Sequence, residues 1–309
     1  MKIFLTGGSG MVGRNILEHA ESKKHTFVAP TRKELNLLNR IAVKEWLAHE
    51  MPDLIIHSGG LVGGIQANIE NPIDFLMKNI DMGINVISSA ATVGVKKLIN
   101  LGSSCIYPKE ASNPLNENMI LKGELEPTNE GYALAKIVAA RLCEYVVRED
   151  PTLNYKTLIP CNLYGRYDKF EENNSHLIPA IIKKIHEAKV AGSQTVTMWG
   201  DGSARREFMN AEDFAEFIYF VMDHLERIPQ NLNVGLGHDY SIEEYYLTVA
   251  SVIGFDGSFE YDLNKPVGMR QKLVDTSQLE KLGWSYKIKL IDGISQAYEF
   301  YKESLKNGI

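Results

Sequence analysis

Cysteine is scarce in this chain of 309 residues, and the few cysteines are not spaced to hold a metal ion. Cys105, Cys143 and Cys161 are odd in number, and the eight histidines form no His-x-x-x-His pair. Zinc sites need closely spaced ligands of these types, and a disulfide framework needs a denser, even set of cysteines. We therefore expect no metal ion and no requirement for a disulfide.

Long apolar runs are also missing, and acidic residues outnumber basic ones. The longest apolar stretches have the length of strands, which is too short to span a bilayer. The net charge of −6 at pH 7 argues against nucleic acid or an acidic membrane surface as a partner. With 44% hydrophobic residues the chain can bury a large core. We expect a soluble, cytoplasmic protein.

What the chain does contain is a glycine loop directly after its first apolar strand pattern. Residues 6–13 read Thr-Gly-Gly-Ser-Gly-Met-Val-Gly, and an amphipathic helix pattern runs from about residue 12 to 22. In this order Gly7 makes a tight turn, Gly10 lets the backbone approach a pyrophosphate, and Gly13 lets helix and strand pack closely. The helix N-terminus then faces the anion, so the loop predicts a dinucleotide site.

The end of the second strand indicates which dinucleotide binds. NAD-binding proteins usually place an acidic residue there, about twenty residues after the glycines, to hold the ribose hydroxyls. Here the strand pattern of residues 25–30 is followed by Thr-Arg32-Lys33, and Glu34 comes too late for that position. Two cations suit a 2′-phosphate, so we predict NADP(H).

Residues 101–136 contain side chains that can exchange protons, in a spacing typical of an active site. Ser103 and Cys105 follow an apolar strand pattern, and Tyr132 and Lys136 are four residues apart, on one face of the next helix. A neighbouring ammonium favours the phenolate and lowers the pKa of a tyrosine. We therefore expect Tyr132 to exchange a proton with a carbonyl substrate.

The Tyr-x-x-x-Lys spacing alone is weak evidence in a chain with 14 tyrosines. It also occurs at Tyr261 with Lys265 and at Tyr298 with Lys302. Neither of these pairs follows a strand that ends in serines, so the surroundings of Tyr132 carry the interpretation.

Strand patterns alternate with helix patterns through the first half of the chain. This rhythm predicts an α/β fold, a Rossmann-type doubly wound parallel sheet with a smaller C-terminal α/β lobe for substrate. We place the NADP-binding domain at residues 1–164, with about 208–236 returning to it. Residues 165–207 and 237–309 form the predicted substrate-binding lobe.

Several motifs resemble those of the extended short-chain dehydrogenase/reductases, and within them the GDP-L-fucose synthase group, over nearly the whole chain. The motifs that carry the resemblance are Gly102-Ser-Ser-Cys-Ile-Tyr-Pro-Lys109, Leu125-Glu-Pro-Thr-Asn-Glu130, Asn162-Leu-Tyr-Gly165, Asn174-Ser-His-Leu-Ile-Pro-Ala180, and Trp199-Gly-Asp-Gly202 with Arg206-Glu-Phe208.

The resemblance implies a reductase triad of Ser103, Tyr132 and Lys136. Ser103 would hydrogen-bond a carbonyl at carbon 4 of a sugar, Tyr132 would protonate the developing alkoxide, and Lys136 would lower the tyrosine pKa and hold the nicotinamide ribose. Ser103 is preferred over Ser104 from its spacing to Ile106-Tyr107, because side chains alternate along a strand.

The resemblance also implies an epimerase pair, Cys105 and His176. A ketone at carbon 4 acidifies the hydrogens at carbons 3 and 5, so an acid and a base across the ring can invert both centres through enolates. Oxyanion stabilisation by Ser103 and Tyr132 would serve both reactions.

Binding residues follow from the same resemblance. Lys184 would face the diphosphate, Trp199 would pack on guanine or sugar, and Arg206 would clamp phosphate. The expected cofactor contacts are Gly7, Gly10, Met11, Val12, Gly13, Arg32, Lys136, Pro160, Asn162, Leu163 and His176.

Two segments depart from the family pattern. The chain has Lys-Pro-Val-Gly at 265–268 where an acidic residue is common at the third position, and the loop at 59–65 is altered. The expected substrate is therefore GDP-4-keto-6-deoxy-mannose, or another GDP-linked 4-keto-6-deoxy sugar such as a heptose, reduced with weak or no epimerisation. A non-catalytic NADP-sensing protein is the third alternative.

The resemblance implies a homodimer as well. Members of the superfamily commonly dimerise through two helices, which in this chain correspond to residues 79–91 and 135–148.

Overall fold

The computed structural model describes residues 1–171, 175–264 and 268–307, and it has the expected α/β architecture. Its strands are β1 (Lys2–Thr6), β2 (Thr26–Val28), β3 (Leu54–His57), β4 (Lys97–Leu101), β5 (Asn154–Pro160), β6 (Asn162–Tyr164), β7 (Thr195–Trp199), β8 (Arg205–Arg206), β9 (Phe208–Asn210), β10 (Asn231–Val234), β11 (Tyr240–Ser241), β12 (Ser258–Asp262) and β13 (Gln271–Lys272).

The helices alternate with these strands in the first half of the chain. They are α1 (Met11–Glu18), α2 (Arg40–Glu50), α3 (Ile65–Glu70), α4 (Pro72–Val93), α5 (Glu130–Glu149), α6 (Leu177–Ala191), α7 (Ala211–His224), α8 (Ile242–Ile253), α9 (Ser277–Lys281) and α10 (Leu290–Asn307). Short 3-10 turns lie at Ala20–Lys24, Ser104–Ile106, Glu117–Met119, Pro127–Asn129 and Leu225–Arg227. Within the described ranges, no helix is both long and apolar enough to cross a membrane.

A six-stranded sheet in the order β2-β1-β3-β4-β5-β10 forms the centre, and all its neighbouring strands are parallel. Its central strands are apolar on both faces, as expected where helices cover both sides. Helices α2, α4 and α5 pack on one face, while α1 and α7 lie together on the other. The predicted Rossmann-type sheet is confirmed.

The order of strands reverses beside β1, since β2 lies on one side of it and β3 on the other. In open α/β sheets, ligands bind in the crevice beyond the carboxyl ends of the strands at such a point. The glycine loop after β1 lies at this position. A ligand site is therefore expected at the carboxyl ends of β1, β3 and β4.

Two element boundaries differ from simple pattern reading. The helix pattern after β1 ends at Glu18 as α1, and a 3-10 turn follows over residues 20–24. The single helix expected over residues 68–91 is two helices, because Pro72 cannot continue α3 and instead starts α4 at its first position.

The remaining elements pack around a separate apolar cluster. Helices α6, α8 and α10 enclose it together with the β7-β12 pair. Strand β10 lies in the central sheet beside β5, and α7 packs against α1. The division of the chain at residues 164, 207 and 236 stays a prediction.

Candidate active site

The glycine loop closes tightly between β1 and α1. Gly7 has φ +70°, a backbone conformation that favours glycine over residues with a side chain. The Gly10 N–H donates to the Gly7 carbonyl oxygen, and Gly10 is the N-cap residue of α1, so no side chain covers the helix N-terminus. A Cβ on Gly13 would lie 2.2 Å from the carbonyl oxygen of Gly7. Met11 and Val12 form the first turn of α1, whose uncapped N–H groups suit a phosphate. The loop thus has the shape that a pyrophosphate needs.

The end of β2 presents cations to solvent. Arg32 and Lys33 are both exposed beyond this strand. The Glu34 carboxylate instead accepts a hydrogen bond from the Thr31 N–H at 2.7 Å, and this interaction lowers the pKa of Glu34. The Glu34 carboxylate is thus hydrogen-bonded within its own turn, and Arg32 and Lys33 are the exposed charges beside it, as expected for a 2′-phosphate site.

A buried pair at the ends of β1 and β3 was not singled out from the sequence. Thr6 and His57 are register partners, and Thr6 Oγ1 lies 2.8 Å from His57 Nδ1. Thr6 Oγ1 also accepts the Gly59 N–H at 2.9 Å, so this hydroxyl joins His57 to the loop that follows β3. Burial, and next the nearby Lys136 ammonium, lower the pKa of His57 to about 3. His57 is therefore a neutral anchor for the loop that follows β3.

Asn79 of α4 holds the next part of that loop. Its amide accepts from the Leu61 N–H at 2.8 Å and donates to the Leu61 and Phe75 carbonyl oxygens. A Cβ on Gly60 would lie 3.0 Å from Asn79 Oδ1 and 3.9 Å from Lys136 Nζ. The altered loop at 59–65 thus packs directly beside the lysine of the predicted triad.

The predicted triad is assembled at the end of β4. Ser103 precedes the turn Ser104–Ile106, and its hydroxyl accepts the Cys105 N–H at 3.4 Å. The same hydroxyl hydrogen-bonds Tyr132 of α5, whereas Ser104 is buried. Ser103 is thus the serine that faces Tyr132.

The electrostatics of the tyrosine differ from the expectation. Burial, and next the Cys105 sulfur, raise the pKa of Tyr132, and only the Ser103 hydrogen bond opposes the rise. Lys136 does not lower it: its Nζ lies 5.6 Å from the ring centroid and donates to the Leu101 carbonyl oxygen at 2.8 Å. Burial also lowers the pKa of Lys136 itself to about 8. The prediction that Lys136 lowers the pKa of Tyr132 is therefore wrong, because burial dominates the pKa of both side chains.

The two other Tyr-x-x-x-Lys pairs lack this setting. Lys302 Nζ lies 4.8 Å from the Tyr298 ring centroid, but the ammonium pairs with Glu299 and the phenol contacts His186. Tyr261 donates to Glu243, and Lys265 lies outside the described residues.

The predicted epimerase residues share one cationic neighbour. Cys105 is buried after Ser103, and His176 stands at the N-cap position of α6 without a side-chain hydrogen bond to the helix. Burial raises the pKa of Cys105, and Lys272 on β13 is the strongest opposing influence. Burial, and next the same Lys272, lower the pKa of His176. The raised pKa of Cys105 and the lowered pKa of His176 leave a protonated thiol and a neutral imidazole near the Lys272 ammonium. The sequence analysis did not identify Lys272.

The predicted cofactor residues after β5 lie on the same side. Pro160 ends β5, and Asn162 and Leu163 belong to β6, which pairs with β9. The Asn162 amide donates to the Glu207 carbonyl oxygen at 2.8 Å. These residues therefore join the central sheet to the segment that contains Arg206.

The predicted substrate residues lie on α6, at the end of β7 and on β8. Lys184 Nζ stands 5.1 Å from the centroid of Trp199, which is exposed at the end of β7. Beside this tryptophan lies a cavity of about 340 Å³, lined in part by Asp201 and Arg270. Arg206 is half-buried on β8, and burial lowers the pKa of its guanidinium. This arrangement has room for a planar base and cations for phosphates.

The described side chains of the site form neither a metal-ligand cluster nor a disulfide. Within residues 1–171, 175–264 and 268–307, no cluster of three or more His, Cys, Asp or Glu side chains could hold a metal ion. The three cysteines are free and buried. Two predicted features, Asn174 of the His176 motif and residues 265–267, fall outside these ranges.

Comparison with known proteins agrees with the geometry. Residues 3–235 match the NAD dependent epimerase/dehydratase family. The chain is 55% identical over 307 residues to a GDP-L-colitose synthase of Yersinia pseudotuberculosis, covering 99% of this chain and 100% of that protein. It is 51% identical over 300 residues to a GDP-L-fucose synthase of Azorhizobium caulinodans, covering 97% and 96%.

Among solved structures, the chain is similar to a GDP-mannoheptose C4 reductase from Campylobacter jejuni with NADP bound. The TM-score is 0.88 at 31% identity, and 97% of this chain and 98% of that chain are covered. The chain therefore belongs to the NAD dependent epimerase/dehydratase family.

Proposed function

We propose that this chain uses NADPH to convert a GDP-linked 4-keto-6-deoxy sugar, by epimerisation beside the ketone and reduction of the ketone. The observation that carries the proposal is the Ser103 hydroxyl, which contacts both the Tyr132 phenol and the Cys105 backbone. The same hydroxyl also hydrogen-bonds the Cys105 side chain, so it joins the reductase pair to the thiol. The similarity to two GDP-sugar synthases and to an NADP-bound reductase supports the substrate class and the cofactor.

In the reduction, Ser103 and Tyr132 bind the oxygen at carbon 4. NADPH, held by the glycine loop, Arg32 and Lys136, would supply the hydride. The raised pKa of Tyr132 keeps its proton in place until negative charge develops on that oxygen. Tyr132 then protonates the alkoxide, and the hydrogen bond from Ser103 stabilises the phenolate that remains.

In the epimerisation, His176 and Cys105 act on opposite faces of the ring. The lowered pKa of His176 leaves a neutral imidazole that takes the proton from the carbon beside the ketone. The electron pair moves to the carbonyl oxygen, where Ser103 and Tyr132 stabilise the enolate. The protonated Cys105 thiol returns a proton to the other face, and the imidazolium and thiolate then exchange a proton through water.

Two sugars are candidates for the product. GDP-L-fucose is the first, from GDP-4-keto-6-deoxy-mannose. GDP-L-colitose is the second, because a relative of that name is 55% identical to this chain. Colitose is the 3-deoxy form of fucose, so the two substrates differ at a carbon that an epimerase would address.

The test is incubation in deuterated water with GDP-4-keto-6-deoxy-mannose, its 3-deoxy analogue, or the corresponding heptose compound. Mass spectrometry and NMR detect deuterium at carbons 3 and 5, or at carbon 5 alone for the 3-deoxy analogue, as the report of epimerisation, and loss of NADPH absorbance reports reduction. The substrate with the higher kcat/KM identifies the sugar. Reduction without deuterium uptake would leave a plain 4-reductase, and binding of NADPH without turnover of any of the three would favour a sensing protein.

Matched variants assign the roles. Cys105→Ser and His176→Gln should abolish deuterium uptake but leave reduction of an already epimerised substrate. Cys143→Ser is the control, because Cys143 is also a buried thiol but lies in the core between α5 and the sheet. Wild-type deuterium uptake in both Cys105→Ser and His176→Gln would remove these residues from the mechanism.

We further propose that the chain forms a homodimer in the cytoplasm. Helices α4 and α5 pack side by side and leave apolar side chains exposed, among them Ile73, Met77, Leu134 and Val138. Pairing this surface with a second copy would bury them. Three buried free thiols suit a reducing compartment.

A further inference from the structure

A fully buried carboxylate lies between the two halves of the site and belongs to none of the roles above. Glu207 separates β8 from β9, and its exposed fraction is 0%. Its Oε1 accepts the N–H groups of Leu236 and Gly237 at 2.5 and 2.9 Å, and its Oε2 accepts the Val274 N–H at 3.0 Å. Both oxygens are therefore committed to backbone donors.

These three donors lie on two segments that flank β8. Leu236 and Gly237 follow β10 and lead to β11, while Val274 lies two residues beyond β13. Strands β11, β8 and β13 form one small sheet with β8 in the middle. The Glu207 side chain thus ties together both neighbours of the strand that carries Arg206.

The small sheet places two cations next to each other. Lys272 is the register partner of Arg206 in the parallel pair of β13 and β8, so the two side chains leave the same face. Their positive charges oppose each other, and Arg206 contributes to the lowered pKa of Lys272. Strands of two residues share few backbone hydrogen bonds, so the sheet alone resists this repulsion weakly. The hydrogen bonds from the Glu207 carboxylate to the segments after β10 and β13 therefore help to hold the strands together.

The backbone of the same residue reaches the cofactor side. The Glu207 carbonyl oxygen accepts both the backbone N–H and the side-chain amide of Asn162, at 3.2 and 2.8 Å. Asn162 belongs to β6, directly after the central strand β5. Glu207 therefore fixes the distance between β6 and the strands of the two cations.

We propose that Glu207 is a positioning residue whose carboxylate holds Arg206 and Lys272 side by side, Arg206 toward the diphosphate of the substrate and Lys272 toward Cys105 and His176. The proposal rests on the proposed function. It also makes Lys272 part of the site, although the resemblance did not point to it.

The test variant is Glu207→Gln, which keeps the shape of the side chain. An amide has one acceptor oxygen, so one of the backbone N–H groups must face the NH₂ group instead. Burial raises the pKa of Glu207 to about 7, against the lowering by its three backbone hydrogen bonds, and loss of one such bond corresponds to about a tenfold change in an equilibrium constant. We expect KM for the GDP-sugar, and Kd for GDP alone by calorimetry, to rise about tenfold or more, with Kd for NADPH within about twofold of wild type.

Asp213→Asn is the matched control. Asp213 is 2% exposed and also accepts two backbone N–H groups, from Lys287 and Ile288 at 3.0 Å each, but it lies on α7 away from the cations. We expect this control to lower the melting temperature while leaving the GDP and GDP-sugar constants at wild-type values. If both variants shift these constants equally, Glu207 has only a general structural role and the proposal is overturned.

A second variant covers the case in which Glu207→Gln does not fold. Glu207→Asp keeps the charge but shortens the side chain by one methylene, so the carboxylate cannot reach both segments. It should raise Kd for GDP in the same way, and a wild-type Kd would overturn the proposal. If instead the wild-type protein bound neither GDP nor any of the three sugars, the proposed function itself would fail.

Discussion

The glycine loop allows a quantitative test, because two of its glycines have very different surroundings. A Cβ on Gly13 would lie 2.2 Å from the Gly7 oxygen and 2.6 Å from the Gly8 Cα, so Gly13→Ala overlaps backbone atoms that no rotamer change can move. Overpacking of this kind costs about 1–3 kcal/mol. Alanine recovers about 1 kcal/mol of helix propensity, because residue 13 lies within α1. Because a 2.2 Å overlap with a backbone atom belongs at the upper end of the overpacking range, we expect a net loss of about 2 kcal/mol in the free energy of unfolding.

Gly10→Ala is the comparison. Its Cβ would have the Gly7 oxygen as nearest neighbour, at 3.4 Å, and residue 10 has φ −81° and ψ 172°, which any residue adopts. Replacing glycine at this N-cap position costs at most about 1 kcal/mol. The methyl group would, however, stand where the pyrophosphate approaches the loop. We expect NADPH affinity to fall about tenfold, or about 1.4 kcal/mol, with little change in the stability of the free protein.

The assays are urea denaturation of the cofactor-free protein and fluorescence titration with NADPH. Gly13→Ala should shift the denaturation midpoint, and Gly10→Ala should shift the binding curve. A Gly13→Ala protein as stable as wild type would show that the packing of α1 on the loop is less tight than the distances imply. A Gly10→Ala protein that binds NADPH normally would place the pyrophosphate elsewhere.

Three further predictions concern other parts of the molecule. Arg32→Ala should raise KM for NADPH far more than for NADH, and Lys44→Ala, at an exposed lysine of α2, provides the control; equal effects of Arg32→Ala on both cofactors would contradict NADP selection. Since burial lowers the pKa of Lys136 from about 10.4 in an unfolded chain to about 8, the unfolded state binds more protons between these values, and stability should rise with pH there by about 3 kcal/mol relative to Lys136→Met. A flat difference between these two proteins would refute that shift. Val138→Glu should give a monomer in sedimentation velocity and Ile41→Glu, on exposed α2, should not; a dimer in both cases would remove the α4–α5 surface from the interface.

Local sequence was sufficient for the parts of the site that are local. Strand, glycine loop and helix are consecutive, so their order alone predicts the dinucleotide cradle. The choice of Ser103 over Ser104 also followed from a short motif, and the structure has Ser103 facing Tyr132. The break between α3 and α4 could have been read from Pro72, but the continuous apolar pattern obscured it.

Contacts between distant residues could not be predicted in this way. His57 and Thr6 are 51 residues apart, and Glu207 reaches donors 29, 30 and 67 residues away. No pattern within one segment identifies such partners. The expected effect of Lys136 on Tyr132 failed for the same reason, because the burial that raises the tyrosine pKa depends on β4 and α4 as well as on α5.

The buried cations of the site complement the substrate class in charge. The chain has a net charge of −6, yet Lys136, Arg206 and Lys272 all have pKa values lowered by burial at one crevice. Keeping charged groups out of water is unfavourable unless an opposite charge compensates them. A diphosphate beside Arg206 and an enolate near Lys272 would each supply that charge when substrate is bound or reacting. The same burial that makes the free site electrostatically unfavourable therefore favours the anionic states through which the proposed reaction passes.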